Sequence, residues 1–187
     1  MAEMGRFARW MVNRGRARRA ERLLRLLDGH LPLPASARLL ELGAGGGGLS
    51  AALMARFHPG RLVVTDFDRR QVEAARTYLV RRFGNLPSTV ELERVDAKEL
   101  PFADRSFDAV FAIQMLHHVE TSHADYRERP AVLRGIGRVL ASGGVFVYYD
   151  FSRAAEIRAT LGELGFIPLF HKSGWGGRDL SVYRSPS

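Results

Sequence analysis

No cysteine occurs among the 187 residues, which removes a disulfide framework, a thiolate metal site and a cysteine nucleophile from consideration. Lysine is almost as scarce. Lys98 and Lys172 are the only two among 28 basic residues, so arginine carries the positive charge. No apolar run approaches the roughly 20 residues a membrane-spanning helix needs. The first 25 residues hold eight arginines and no long apolar stretch, so they lack the core of a secretion signal. The expected location is the cytoplasm, with peripheral association at a membrane left open. Acidic residues are outnumbered, 20 against 28, giving a net charge of +8 and a pI near 10.7. That excess means either solvated arginines or an anionic partner such as nucleic acid or a lipid surface. Charge alone does not choose between them.

What is present fits one folded domain over residues 1–187, with 46% hydrophobic and 26% charged residues. A helical cover is expected over 1–34 and the core over 35–187. The cover reads as two short helices. In the second, Ala17, Ala20, Leu23, Leu24 and Leu27 recur at helical spacing, and Glu21 and Arg25 stand four apart as an ion pair would. Strand and helix then alternate: strands at 38–42, 61–65, 90–95, 107–113 and 145–149, helices at 49–57, 69–83, 127–140 and 154–164. Two last strands, 166–170 and 180–183, follow one another without a helix, so a hairpin is expected through Ser173-Gly174-Trp175-Gly176-Gly177. The alternation predicts a parallel sheet with helices on both faces, a three-layer α/β/α sandwich.

The chemistry begins at Glu41-Leu42-Gly43-Ala44-Gly45-Gly46-Gly47-Gly48. A strand ends, the chain turns, and a helix opens at once. Five glycines in six positions carry an entropic cost that only a close approach of ligand or backbone justifies. The new helix offers its first amides to an anionic or polar group. Gly43, Gly45 and Gly48 also satisfy the dinucleotide pattern GxGxxG, and Asp66 stands where a ribose would need it. This stretch alone leaves a nicotinamide-dependent oxidoreductase open.

Further segments narrow the reading. Glu41 to Gly47 resembles the ExGxGxG signature of class I S-adenosylmethionine-dependent methyltransferases. Arg94-Val95-Asp96-Ala97 resembles that family's third strand end, and Leu100-Pro101-Phe102 through Asp108-Ala109-Val110 its approach to strand four, continuing as Gln114-Met115-Leu116-His117-His118. Arg138-Val139-Leu140-Ala141-Ser142-Gly143-Gly144 resembles the turn into strand five. The motifs stand in the family's order and spacing over 38–183. The resemblance implies a Rossmann-like, mostly parallel seven-stranded sheet of order 3-2-1-4-5-7-6 with strand seven antiparallel. S-adenosylmethionine would be the cofactor and S-adenosylhomocysteine the product.

Carried over, the resemblance gives Gly43, Ala44, Gly45 and Gly47 to the methionine part of the cofactor and Glu41 to its amino group or the loop. Asp66 would take the ribose hydroxyls, Phe67 lie on the adenine face, Asp96 and Ala97 read the adenine edge, and Gln114 reach the amino-acid end. His117 and His118 are the candidate general bases. Trp10, His117, Tyr149 and Asp150 would line the acceptor pocket, with Phe7 and Met11 beside Trp10 as cover. His123 with His117 and His118 makes no clean metal-ligand spacing, so no metal is assigned. The expected acceptor is a small molecule or lipid. Ile113-Gln114-Met115-Leu116 departs from the Asn/Asp-Pro-Pro-aromatic motif of enzymes that methylate exocyclic base nitrogens. Arg6, Phe7, Arg9 and Trp10 keep an anionic lipid surface or RNA open as a partner, and an oligomer is equally open. An RNA-directed methyltransferase and a non-catalytic cofactor-binding subunit stay open beside the oxidoreductase.

Overall fold

The computed structural model describes residues 6–119, 128–151, 153–174 and 178–187, and the side chains of 6–14 and 16 lie outside that description. The chain runs α1 (Arg6–Leu26), β1 (Arg38–Leu42), α2 (Gly48–Phe57), β2 (Arg61–Asp66), α3 (Arg69–Phe83), β3 (Val90–Arg94), β4 (Phe107–Ile113), a 3-10 turn (Leu116–His118), α4 (Arg129–Val139), β5 (Leu140–Asp150), α5 (Ala154–Glu163), β6 (Ile167–Ser173) and β7 (Asp179–Arg184).

One seven-stranded sheet, ordered β3-β2-β1-β4-β5-β7-β6, organises these elements. β1 through β5 pair in parallel, while β7 runs antiparallel to both β5 and β6. Consecutive residues of the central strands enter different cores, as the two-residue period of a strand requires. Leu39, Leu62, Phe111 and Val147 join α1, α2 and α3 in one cluster. Leu40, Val63, Val110 and Phe146 join α4 and α5 in the other. Strands covered on both faces are mostly apolar, and in β1 and β4 only Arg38, Glu41 and Asp108 depart from that. The antiparallel β7 inserted between β5 and β6 separates this sheet from the 3-2-1-4-5-6 order of dinucleotide-binding folds.

Three expectations are corrected. The opening segment is one helix, not two. Gly15 interrupts the alanine and arginine run, but its cost of about 1 kcal/mol is small beside a window of strong helix formers, and it faces open space. α4 ends at Val139, because Leu140 is already paired with Phe107 as β5. β6 continues past Phe170 to Ser173, held by pairing with Asp179 at the start of β7. The expected hairpin is present as that antiparallel pair, although Trp175, Gly176 and Gly177 lie outside the described residues.

α1 does more than cover. Ala17, Ala20, Leu23, Leu24 and Leu27 are buried in the same cluster as β1 and α2, and the expected Glu21–Arg25 pair closes at 4.0 Å. Strand order reverses between β1 and β4, which leaves a crevice at their carboxyl ends.

Candidate functional site

The crevice holds a cavity of about 720 Å3, lined from β1, β2, β4, β5, α1, α2 and α3 and from the turn after β3. Its floor is the glycine turn. Gly43, Gly45 and Gly47 have φ of 71°, 53° and 80°, a region side chains rarely adopt. A Cβ on Gly43 would stand 2.5 Å from Met115 Cγ, so the bare position lets the segment after β4 close onto the turn. The Ala44 amide donates to the Thr65 carbonyl at 2.9 Å, and the Thr65 hydroxyl donates to the Glu41 carbonyl at 2.8 Å. The turn is thereby tied to β2.

Gly47 is a correction. It does not line the cavity. It precedes α2 and faces α3, where a Cβ would lie 3.0 Å from Ala75 Cα, so its role is the close packing of two helices. The residues of this run that do line the cavity include Gly43, Ala44, Gly45 and Gly48.

Asp66 closes β2. Its carboxylate accepts the Gly45 amide at 2.8 Å and the Asp68 amide at 2.9 Å, one on each oxygen. Each oxygen keeps a second lone pair, and the side chain lines the cavity. Capping of α3 falls to Asp68, which accepts from the Arg70 amide at 2.8 Å, so Asp66 is free of that duty. Farther along the same wall stand Asp96 and Ala97. One Asp96 oxygen accepts the Lys98 amide at 2.9 Å and so fixes the turn after β3. Phe67 forms the rim, with the Arg94 guanidinium 5.4 Å from its ring centroid.

Glu41 is the most unusual group on the wall. It is 1% exposed, and Oε2 has no hydrogen-bond partner among the described residues. Burial, with repulsion from Asp66 added, pushes the carboxyl up to about 7. Ser50, whose hydroxyl also lacks a well-formed partner, opposes that shift only in part. An orphaned carboxylate beside a cavity is completed by a cationic ligand group. Together with the bare backbone of the glycine turn and the strand-end carboxylates, it fits the α-amino group and ribose of S-adenosylmethionine.

Gln114 follows β4 with φ 54°, held there by its amide donating to the Tyr149 carbonyl at 2.7 Å. Such strain costs about 1–3 kcal/mol and gathers at functional positions. Gln114→Gly is therefore expected to raise the unfolding free energy by about 1 kcal/mol and to weaken cofactor binding. Denaturant unfolding and titration calorimetry read the two effects separately, and unchanged affinity would show that the amide side chain contributes nothing to the site.

At the other end of the cavity stand His117, His118, Tyr149 and Phe151. Here Asp150 is corrected. It is buried and does not line the cavity, but lies behind His117. Its carboxylate takes the His117 main-chain amide at 3.2 Å and faces His117 Nδ1 at 3.0 and 3.2 Å. It also accepts the Phe151 amide at 2.8 Å. His117 is clamped between His118 and Phe151, with ring centroids 3.8 and 4.3 Å away. Burial lowers its proton affinity, Asp150 raises it, and His118 and Arg129 lower it further; the net direction is down. Accepting at Nδ1, Asp150 holds the proton there and leaves Nε2 as the basic nitrogen.

The Trp10 side chain lies outside the described residues, as does His123. The cover seen here is Arg19, Ala20 and Leu23 of α1. Ala20 and Leu23 belong to the apolar stripe of α1, and no feature of the sequence separates a stripe residue in the core from one at a cavity wall.

Comparison with known proteins adds a family model described as a methyltransferase domain, which matches residues 40–148. The 27-O-demethylrifamycin SV methyltransferase of Amycolatopsis mediterranei is 36% identical over 130 residues, 70% of this chain and 44% of that protein. The phthiotriol/phenolphthiotriol dimycocerosates methyltransferase 1 of Mycobacterium ulcerans is 34% identical over 132 residues, 71% of this chain and 44% of that protein. The chain thus spans less than half the length of these curated relatives. Among solved structures, the [4+2]-cyclase SpnF superposes with a TM-score of 0.72 at 21% identity, over 89% of this chain and 80% of that one. At that identity the likeness is one of fold.

Proposed function

The chain belongs to the class I S-adenosylmethionine-dependent methyltransferases, and from that premise we propose that it methylates a hydroxyl group on a small, lipid-like acceptor. The observation that carries this reading is His117, held by Asp150 against a cavity whose far wall bears the orphaned Glu41 carboxylate. Two relatives, named for 27-O-demethylrifamycin SV and for phthiotriol/phenolphthiotriol dimycocerosates, support it. So does the apolar character of Leu23, Ile113, Val119, Tyr149 and Phe151 around that end.

When bound, S-adenosylmethionine supplies a methyl group activated on sulfonium sulfur and leaves as S-adenosylhomocysteine. Glu41 would hold the amino group, the bare backbone of Gly43 to Gly45 would let the methionine part approach closely, Asp66 would take the ribose diol, and Asp96 with Ala97 would read the adenine edge, with Phe67 against its face. Placing two reactants in line accounts for much of such a rate enhancement. A hydroxyl must also lose its proton as its oxygen forms the new bond. His117 takes that proton at Nε2, Asp150 keeps the ring in the tautomer that can accept it, and the proton then passes to solvent. His118 lies against His117 with its ring tilted by 44° and is exposed, so its part is to hold the ring.

Asp66→Ala tests the cofactor half. Removing a carboxylate from two amides and a diol costs about 1–3 kcal/mol, read as weaker S-adenosylmethionine binding by calorimetry; undiminished affinity would dismiss this map. The acceptor half is tested by labelled-methyl transfer to hydroxylated lipids and their amine analogues. Transfer to the amines alone would discard the hydroxyl assignment.

A further inference from the structure

α2 is buried over seven consecutive residues, Gly48 to Met54, so the outer surface of this layer belongs to α1 and α3. The two are joined through Glu21, which lies 3.6 Å from Arg82 and 4.0 Å from Arg25. The surface they share is strongly cationic. Arg69 is matched by Glu73, but Arg18, Arg19, Arg22, Arg70, Arg76 and Arg81 are exposed and have no acidic partner among the described residues. The same two helices also expose apolar side chains: Leu26 is 47% exposed, Val80 40% and Phe83 38%. The Phe83 ring carries the Arg82 guanidinium 5.6 Å from its centroid.

We propose that this α1–α3 face docks the protein on an anionic lipid surface, with the cavity mouth beside the bilayer. Charge complementarity selects the partner's sign, because arginines near an anionic leaflet each contribute about 1 kcal/mol. Exposed leucine, valine and phenylalanine among the arginines suit the boundary between headgroups and acyl chains. Arg19 belongs to the rim of the cavity as well as to the basic surface, so the docked face and the acceptor entrance adjoin. A bilayer partner rests on the lipid-like acceptor proposed above. No helix among the described residues is long and apolar enough to cross a membrane, so the contact is peripheral.

Vesicle co-sedimentation tests this with the full chain. Phosphatidylcholine vesicles containing phosphatidylglycerol are expected to retain the protein at least about tenfold more strongly than phosphatidylcholine alone, and high salt to release it. The triple variant Arg22→Glu, Arg76→Glu, Arg81→Glu should lose that retention while keeping wild-type affinity for S-adenosylmethionine, since none of the three lines the cavity. Equal retention on both vesicle types, or no retention on either, overturns the proposal. Salt-sensitive retention on RNA without retention on anionic vesicles also overturns it and makes the face a nucleic-acid surface. Transfer to a detergent-dispersed acceptor reports on the proposed function separately: intact transfer with no vesicle binding removes the docking face alone, and vesicle binding without transfer to any hydroxyl removes the acceptor alone.

Discussion

With His117 replaced by alanine, kcat is expected to fall by about a hundred- to ten-thousandfold, the range for loss of a positioned general base. The affinity for S-adenosylmethionine should stay near that of the wild type, because none of the cofactor contacts assigned above is given to His117. The ring is fixed on both sides, by His118 and Phe151, and from behind by Asp150. It is therefore poised for one proton without reorganisation. Full activity in His117→Ala would mean that the acceptor has no proton to lose at the moment of transfer.

Asp150→Asn separates the roles of the pair. The amide can present its own N–H to Nδ1 and so place the proton on the wrong nitrogen; kcat should again fall by orders of magnitude, with the fold kept. The pH profile carries the sign. His117 is already held below the ordinary imidazole range by burial, with Asp150 opposing that shift. Activity should fall only on the acid side, as Nε2 becomes protonated, with a midpoint below that of a solvated histidine. Removing the Asp150 charge should move the acid limb of whatever activity remains to still lower pH. A limb that moves upward would contradict an ionised Asp150.

The limits of β1 and β4 and the whole of α3 are legible at single-residue resolution, and the reason is burial. A parallel strand covered on both faces is mostly apolar, and 38–42 and 107–113 are short, mostly apolar segments in which only Arg38, Glu41 and Asp108 are charged. α3 ends at Gly84, which takes a positive φ. The expected division of the opening segment into two helices fails, because Gly15 is a weak break when nothing crowds it.

Within the site, residue type is legible and direction is not. A run of four glycines does not say which of them faces a ligand and which faces a neighbouring helix; Gly47 faces Ala75 only because α2 and α3 pack there. Tyr149 and Asp150 both read from sequence as acceptor-pocket residues, yet adjacent strand residues point to opposite faces. Period two alone sends one of them elsewhere. That Asp150 then meets His117, 33 positions away, depends on the β4–β5 register pairing Ile113 with Tyr149, and that register is not written in either strand. Asp68 likewise hides as one of two nearby acids until the capping geometry separates it from Asp66.

Glu41→Gln should make the unliganded protein more stable and the cofactor bind less well. The carboxyl rises from 4.5 to about 7 in the fold, so between those values the folded state holds a proton that the unfolded state has released. Stability then falls as pH rises through that window, and above pH 7 the whole cost is present, on the order of 3 kcal/mol from the size of the shift. Glutamine carries no charge to bury, so at pH 8 the variant should gain about 1–3 kcal/mol in denaturant unfolding, the lower figure allowing for a poorly paired amide. At pH 4, where glutamate is protonated in both states, the gain should vanish. The same substitution removes the charge that meets the ligand's ammonium, so affinity should drop at least about tenfold. In the wild type, a proton must leave Glu41 on binding below pH 7, so calorimetry in buffers of different ionisation enthalpy should show its release and affinity should rise toward pH 7. A variant that is less stable at pH 8 and binds as before would mean that Oε2 is satisfied within the protein and is not waiting for a ligand.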